Sequence, residues 1–124
     1  MSVRIVSIGE DIFFWSQIHD AARQTGRAAT RVADETALDE AAAGGDVALV
    51  LADLGFRGVD SIAWASRRKG ADPRPLLVGY GSHVDVETHD RARAAGFDLV
   101  LPKSQFARQL LQIIGGSGPT PREA

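Results

Sequence analysis

Four short apolar runs, each closed by glycine, proline or charge, constrain this chain more than any other feature. VRIVSIG (3–9), DVALVLAD (46–53), PLLVGYG (75–81) and FDLVLPK (97–103) are rich in Val, Ile and Leu. Their near-continuous apolar character predicts strands buried on both faces. RAATRVAD (27–34) is a weaker fifth strand. Between the strands lie helical patterns. DIFFWSQIHDAARQTG (11–26) puts Phe14, Ile18, Ala21 and Ala22 on one face, with Gly26 suited to the position after the helix end. ETALDEAAAGG (35–45), VDSIAWASRRKG (59–70) and VDVETHDRARAAG (84–96) repeat the scheme, each ending in Gly, and SQFARQLLQIIGG (104–116) supplies the fifth helix. Strand and helix alternating five times predict a parallel sheet with right-handed crossovers and helices on both faces, a doubly wound three-layer α/β/α domain.

A length of 124 residues with 44% hydrophobic and 24% charged side chains suits one globular domain, here 1–114. GGSGPTPREA (115–124) has linker composition and is expected to form a flexible C-terminal tail. The net charge of −2 carries no basic excess, so direct nucleic-acid binding is not expected. There is no cysteine, which excludes thiol chemistry, disulfides and Cys-ligated metals. The N-terminus lacks a basic-then-apolar leader, and no apolar run approaches the ~18 residues of a membrane span, so no membrane role and a cytoplasmic location are expected.

In open α/β sheets the functional crevice lies at the carboxyl ends of the strands. The pattern places Asp53 there, with Gly9, Glu10 and Asp11 after the first strand, Tyr80 to Ser82 after the fourth and Lys103 after the fifth. A nucleophilic carboxylate, acids able to hold a divalent cation and an ammonium for phosphoryl oxygens form a coherent chemical set. Each also has a plainer reading. Asp53 could cap its turn, Lys103 could be a solvated charge, and Glu10 and Asp11 could be favourable anions at a helix N-terminus. Tyr80 reads as a packed aromatic rather than a catalytic one. His19, His83 and His89 share no spacing with carboxylates that suggests a metal site and are expected to be solvated or capping. Phe13 and Trp15 flank the buried face of the first helix, as a contact patch or as filling near the site.

Two motifs narrow the choice. LADLGFRGVDS (51–61) and AAGFDLVLPKS (94–104), in this order within five strand–helix units, resemble the receiver domain of two-component response regulators (CheY-like). The resemblance covers residues 3–114. It implies a flavodoxin-like sheet of order 2-1-3-4-5 with five helices. It implies Asp53 as phospho-acceptor, Lys103 as phosphoryl contact, and Mg²⁺ held by Glu10, Asp11 and Asp53. It further implies a histidine kinase or phosphotransfer protein as phosphodonor. A downstream protein would be met through the α4–β5–α5 face (helix 84–96, strand 97–103, helix 104–116). Such a protein is not an enzyme beyond its own phosphorylation and dephosphorylation.

The departures from the receiver pattern are chemical. Receivers end the first strand on two consecutive acids, where this chain has Gly9 and Glu10. Mg²⁺ demands near-octahedral oxygens at about 2.0–2.1 Å, so a missing acid weakens the site unless Asp11 or water substitutes. The Ser or Thr that ends the fourth strand is Tyr80, unless the loop shifts and Ser82 serves. The switch aromatic of the fifth strand is missing from Leu99, Val100 and Leu101. The usual proline after the lysine is Ser104, and the one four residues after the acceptor is Arg57. Three readings stand: a single-domain phosphorylatable receiver, a phosphorylation-independent pseudo-receiver that docks a partner, and a flavodoxin-like nucleotide or flavin binder. The last lacks both the G-x-G-x-x-G fingerprint and the P-loop.

Overall fold

A computed structural model describes residues 4–71 and 74–115. Five strands, β1 (Arg4–Ile8), β2 (Ala28–Val32), β3 (Val47–Asp53), β4 (Leu76–Gly81) and β5 (Leu99–Pro102), form one sheet of order β2-β1-β3-β4-β5. Every neighbouring pair is parallel, so the expected topology is the observed one. The central strands bury both faces, as their unbroken apolar runs require. Edge strand β2 buries only Val32 fully, which accounts for its weaker apolar signal.

Helices α1 (Ile12–Gln24), α2 (Glu35–Ala43), α3 (Ser61–Arg67) and α4 (Val86–Ala95) each begin behind an aspartate. Asp11, Asp34, Asp60 and Asp85 accept from the backbone N–H of Phe14, Ala37, Ala63 and Thr88. Each cap satisfies one of the N–H groups that a helix start leaves without a partner. Gly96 ends α4 at φ 111°, a backbone conformation that side chains resist.

The fifth helix of the sequence reading is two helices. The chain continues as α5 (Lys103–Arg108) and α6 (Leu110–Gly115), giving six helices among the described residues where five were expected. The Gln109 N–H is shared between the carbonyls of Gln105 at 3.0 Å and Phe106 at 3.2 Å, a local tightening of the turn. Helical bonding resumes from Ile113 N–H to the Gln109 carbonyl at 2.9 Å. Both pieces stay seated, with Phe106, Leu110, Ile113 and Ile114 buried. Gly115 closes α6 rather than opening a tail, and residues 116–124 of the expected tail lie outside the described residues.

Two cores cover the sheet. One lies under α1, α5 and α6 and includes Ile5, Phe14, Ile18, Leu51, Val78, Tyr80 and Phe106. The other lies under α2, α3 and α4 and includes Val6, Ile8, Leu38, Val50, Trp64, Ala92 and Val100. Phe14, Ile18, Ala21 and Ala22 form the buried face of α1, as their spacing predicts.

Candidate functional site

Asp53 is the last residue of β3, half-buried, and stands in register opposite Tyr80 of β4. Its Oδ1 accepts from the Gly55 N–H at 3.0 Å. Gly9, buried, follows the last residue of neighbouring β1. A methyl group at Gly9 would stand 3.5 Å from Asp53 Cβ, 3.7 Å from the Tyr80 hydroxyl and 4.0 Å from Asp53 Oδ2, ordinary contact distances. The first carbon of a side chain is therefore admissible here, and the chain supplies no acid.

The register sets Tyr80, not Ser82, against Asp53. Tyr80 is paired with Asp53, whereas Ser82 lies beyond the end of β4 and its Oγ accepts from the Val84 N–H at 3.4 Å. Tyr80 is only 3% exposed. Its ring stacks on Phe106 at 4.3 Å and 10°, and meets the edge of Phe14 at 5.1 Å and 71°. Phe14 and Phe106 also pack edge to face at 5.5 Å. Such contacts each add about 0.5–1.5 kcal/mol beyond area burial. The phenol is held far above its ordinary ionisation range by burial first, then by the negative charges of Asp53 and Asp11, so it remains neutral.

Lys103, the first residue of α5, is drawn to Asp11 rather than to Asp53. Its Nζ lies 3.5 Å from Asp11 Oδ2 and 5.1 Å above the Phe14 ring centroid. The other Asp11 oxygen caps α1 through the Phe14 N–H at 3.1 Å. That backbone bond foremost, aided by Lys103, holds the Asp11 carboxyl below its ordinary range. Asp11, read from the sequence as an acid for a divalent cation or a favourable anion at the helix N-terminus, is the N-cap of α1, and Glu10 is exposed.

These contacts decide the fit of a metal. Among the described residues no group of three or more His, Asp or Glu stands where it could hold an ion. Asp11 Oδ1 caps α1, Asp53 Oδ1 holds the Gly55 N–H, and Gly9 offers no oxygen. Glu10, Asp11 and Asp53 therefore do not assemble the shelf of carboxylate oxygens that Mg²⁺ requires.

Other assignments shift as well. His89, expected at the surface, is 7% exposed on α4 with its Nε2 unpartnered. A methyl group at Gly81 would stand 3.4 Å from that atom, so the imidazole is packed beneath the tip of β4. His19 and His83 are exposed, Trp15 is half-buried against the α1 core, and Phe13 is 85% exposed. Phe106 escaped the sequence reading. Its signal is helical spacing: it lies three residues beyond Lys103, which turns it under the rim that Lys103 tops.

No protein-family model matches the chain, and no curated protein matches it. Solved structures do. A receiver domain from Bermanella marisrubri superposes with a TM-score of 0.78 at 18% identity, over 94% of this chain and 98% of its own. The receiver domain of NtrX from Brucella abortus gives 0.75 at 18%, over 91% and 96%; this chain spans 27% of a longer NtrX structure. A response regulator from Burkholderia pseudomallei, bearing a phosphorylated aspartic acid and calcium, gives 0.75 at 13%, over 91% and 66%. The chain therefore has the fold of the response-regulator receiver domains.

Proposed function

We propose that this chain is a receiver-fold signalling module that binds a partner protein independently of Asp53 phosphorylation. The observation that carries this reading is Tyr80. In the receiver pattern a phosphoryl group draws a small hydroxyl residue inward, and an aromatic on β5 follows into the vacated space. Here a buried aromatic, stacked on Phe106, already fills the position opposite Asp53, and Leu99, Val100 and Leu101 offer no aromatic to move. A ligand shifts an equilibrium only through its differential affinity for two states. A packed stack in place of the small mobile hydroxyl removes the second state. Gly9 in place of an acid supports the same reading, because it weakens the metal chemistry that phosphoryl transfer needs.

The face built from α4, β5, α5 and α6 would carry the partner whatever the state of Asp53. A second reading, phosphorylation of Asp53 by a histidine kinase or phosphotransfer protein, is favoured by one feature: with Gly at position 9, no side chain from the end of β1 covers Asp53 Oδ2. Intact-mass measurement after incubation with acetyl phosphate and Mg²⁺ separates the two, with Asp53→Asn as control. The expected outcome is no phosphoryl adduct. A stoichiometric adduct absent from Asp53→Asn would overturn the proposal. Beryllofluoride with Mg²⁺ should likewise leave the amide chemical shifts of residues 84–114 almost unchanged.

A further inference from the structure

Between α1, the tip of β4 and α5 lies a cleft of about 490 Å³ that the reading above leaves without a role. Its volume is within the roughly 300–1,000 Å³ range of small-molecule sites. Phe13 forms one wall, and Pro102 and Ala107 contribute to the other, with Gln17, Ser82 and Ser104 supplying polar groups. Phe13 is 85% exposed, a large aromatic on α1 whose ring the protein leaves uncovered.

The charges select the occupant. Asp11 and Lys103 are the acid and the base of the lining, and His83 is its one further titratable side chain. Their 3.5 Å pair is long, with the two side chains 42% and 50% exposed, so opening it costs little. A simple anion brought to Lys103 would confront Asp11, and a simple cation brought to Asp11 would confront Lys103. A molecule carrying both charges on groups joined through a single carbon satisfies both at once, its carboxylate on Lys103 Nζ and its ammonium on Asp11 Oδ2. An apolar side chain of a docking polypeptide would leave the pair unused.

We propose that this cleft binds a small zwitterion with an aromatic body, an aromatic α-amino acid or close relative, whose ring lies against Phe13 and whose head group inserts into the Asp11–Lys103 pair. The binding needs no change at Asp53, so it stands or falls separately from the docking function.

L-tryptophan is the probe, titrated into the full chain by calorimetry and amide chemical shifts. Tryptamine and indole-3-acetate each lack one charge, and N-acetyl-L-tryptophanamide stands for an indole held in a polypeptide. Saturable shifts are expected at Phe13, Gln17, Ser82 and Ser104. Each single-charge analogue should bind about tenfold more weakly, the worth of one charge-assisted hydrogen bond. Phe13→Ala, at an exposed position that leaves the fold intact, should weaken L-tryptophan about three- to tenfold. Lys103→Met should abolish the preference for L-tryptophan over tryptamine. The proposal is overturned if L-tryptophan gives no saturable shift at millimolar concentration. It is equally overturned if N-acetyl-L-tryptophanamide binds as tightly, which would assign the cleft to a polypeptide side chain.

Discussion

The two faces of the sheet place their largest aromatic side chains differently. Under α1, α5 and α6, Phe14, Tyr80 and Phe106 pack directly beneath the rim that holds Asp53 and Lys103. Under α2, α3 and α4, Trp64 is 2% exposed, and its indole N–H reaches Asp39 at 2.9 Å. Arg68 stacks on that indole at 4.4 Å and also donates to Asp39 at 3.1 Å. On the first face the side chains that stabilise the fold also shape the site; on the second they anchor two helices and touch no site residue. Divergence at the rim is thus tied to the packing of one face only.

The comparison is most exposed by removing an aromatic from each face. Phe106→Ala and Trp64→Ala should each cost about 3–5 kcal/mol in chemical denaturation. Only Phe106→Ala should also move the amide resonances of Gly9, Asp53 and Lys103. Equal disturbance of the rim by both variants would erase the distinction between the faces.

A smaller effect is expected from restoring chemistry without disturbing packing. Gly9→Asp places a second acid next to Asp53, where its Cβ meets only ordinary contact distances. Mg²⁺ binding, followed by calorimetry, should strengthen clearly over the parent chain. Unchanged Mg²⁺ affinity would show that the Asp11–Lys103 pairing, not the missing acid, limits the metal site.

Asp39→Ala, on the other face, removes the acceptor of both the Trp64 indole N–H and Arg68, so the denaturation midpoint should fall modestly while the Asp53 environment stays untouched. The smallest differences should come from acid. Asp11 is held low chiefly by the Phe14 N–H, Asp39 by the Trp64 indole, and Asp85 by Thr88, all below an ordinary value of 3.8. A carboxylate depressed on folding stabilises fully above its unfolded value and loses that contribution as pH falls through its folded value. Denaturation midpoints should therefore hold constant from neutral pH down to about this value and decline below it. The decline should shrink in Asp39→Ala, because one of the depressed groups is gone.

Much of the architecture was legible before any coordinates. Short Val, Ile and Leu runs and glycine punctuation are local signals, set by the strand pleat and by which residues tolerate positive φ. The division at Gln109 carried no such signal, since neither proline nor glycine marks it and the shared hydrogen bond depends on how Phe106 and Leu110 seat in the core. His89 read as a solvated or capping histidine because its burial depends on the tip of β4, at Gly81, standing over it.

At the rim, sequence alone determined which chemical groups arrive. Asp53, Tyr80 and Lys103 each end or follow an apolar strand, and parallel strands in series deliver their tips to one edge. Tertiary structure alone decided which groups meet. Lys103 lies 92 residues from Asp11, and Tyr80 stacks on Phe106 from a different element. Hydrophobic patterning fixes the face a side chain takes, because that depends on strand and helix periodicity. The partner it finds there depends on strand order and helix seating across the whole sheet, which no local stretch of residues encodes.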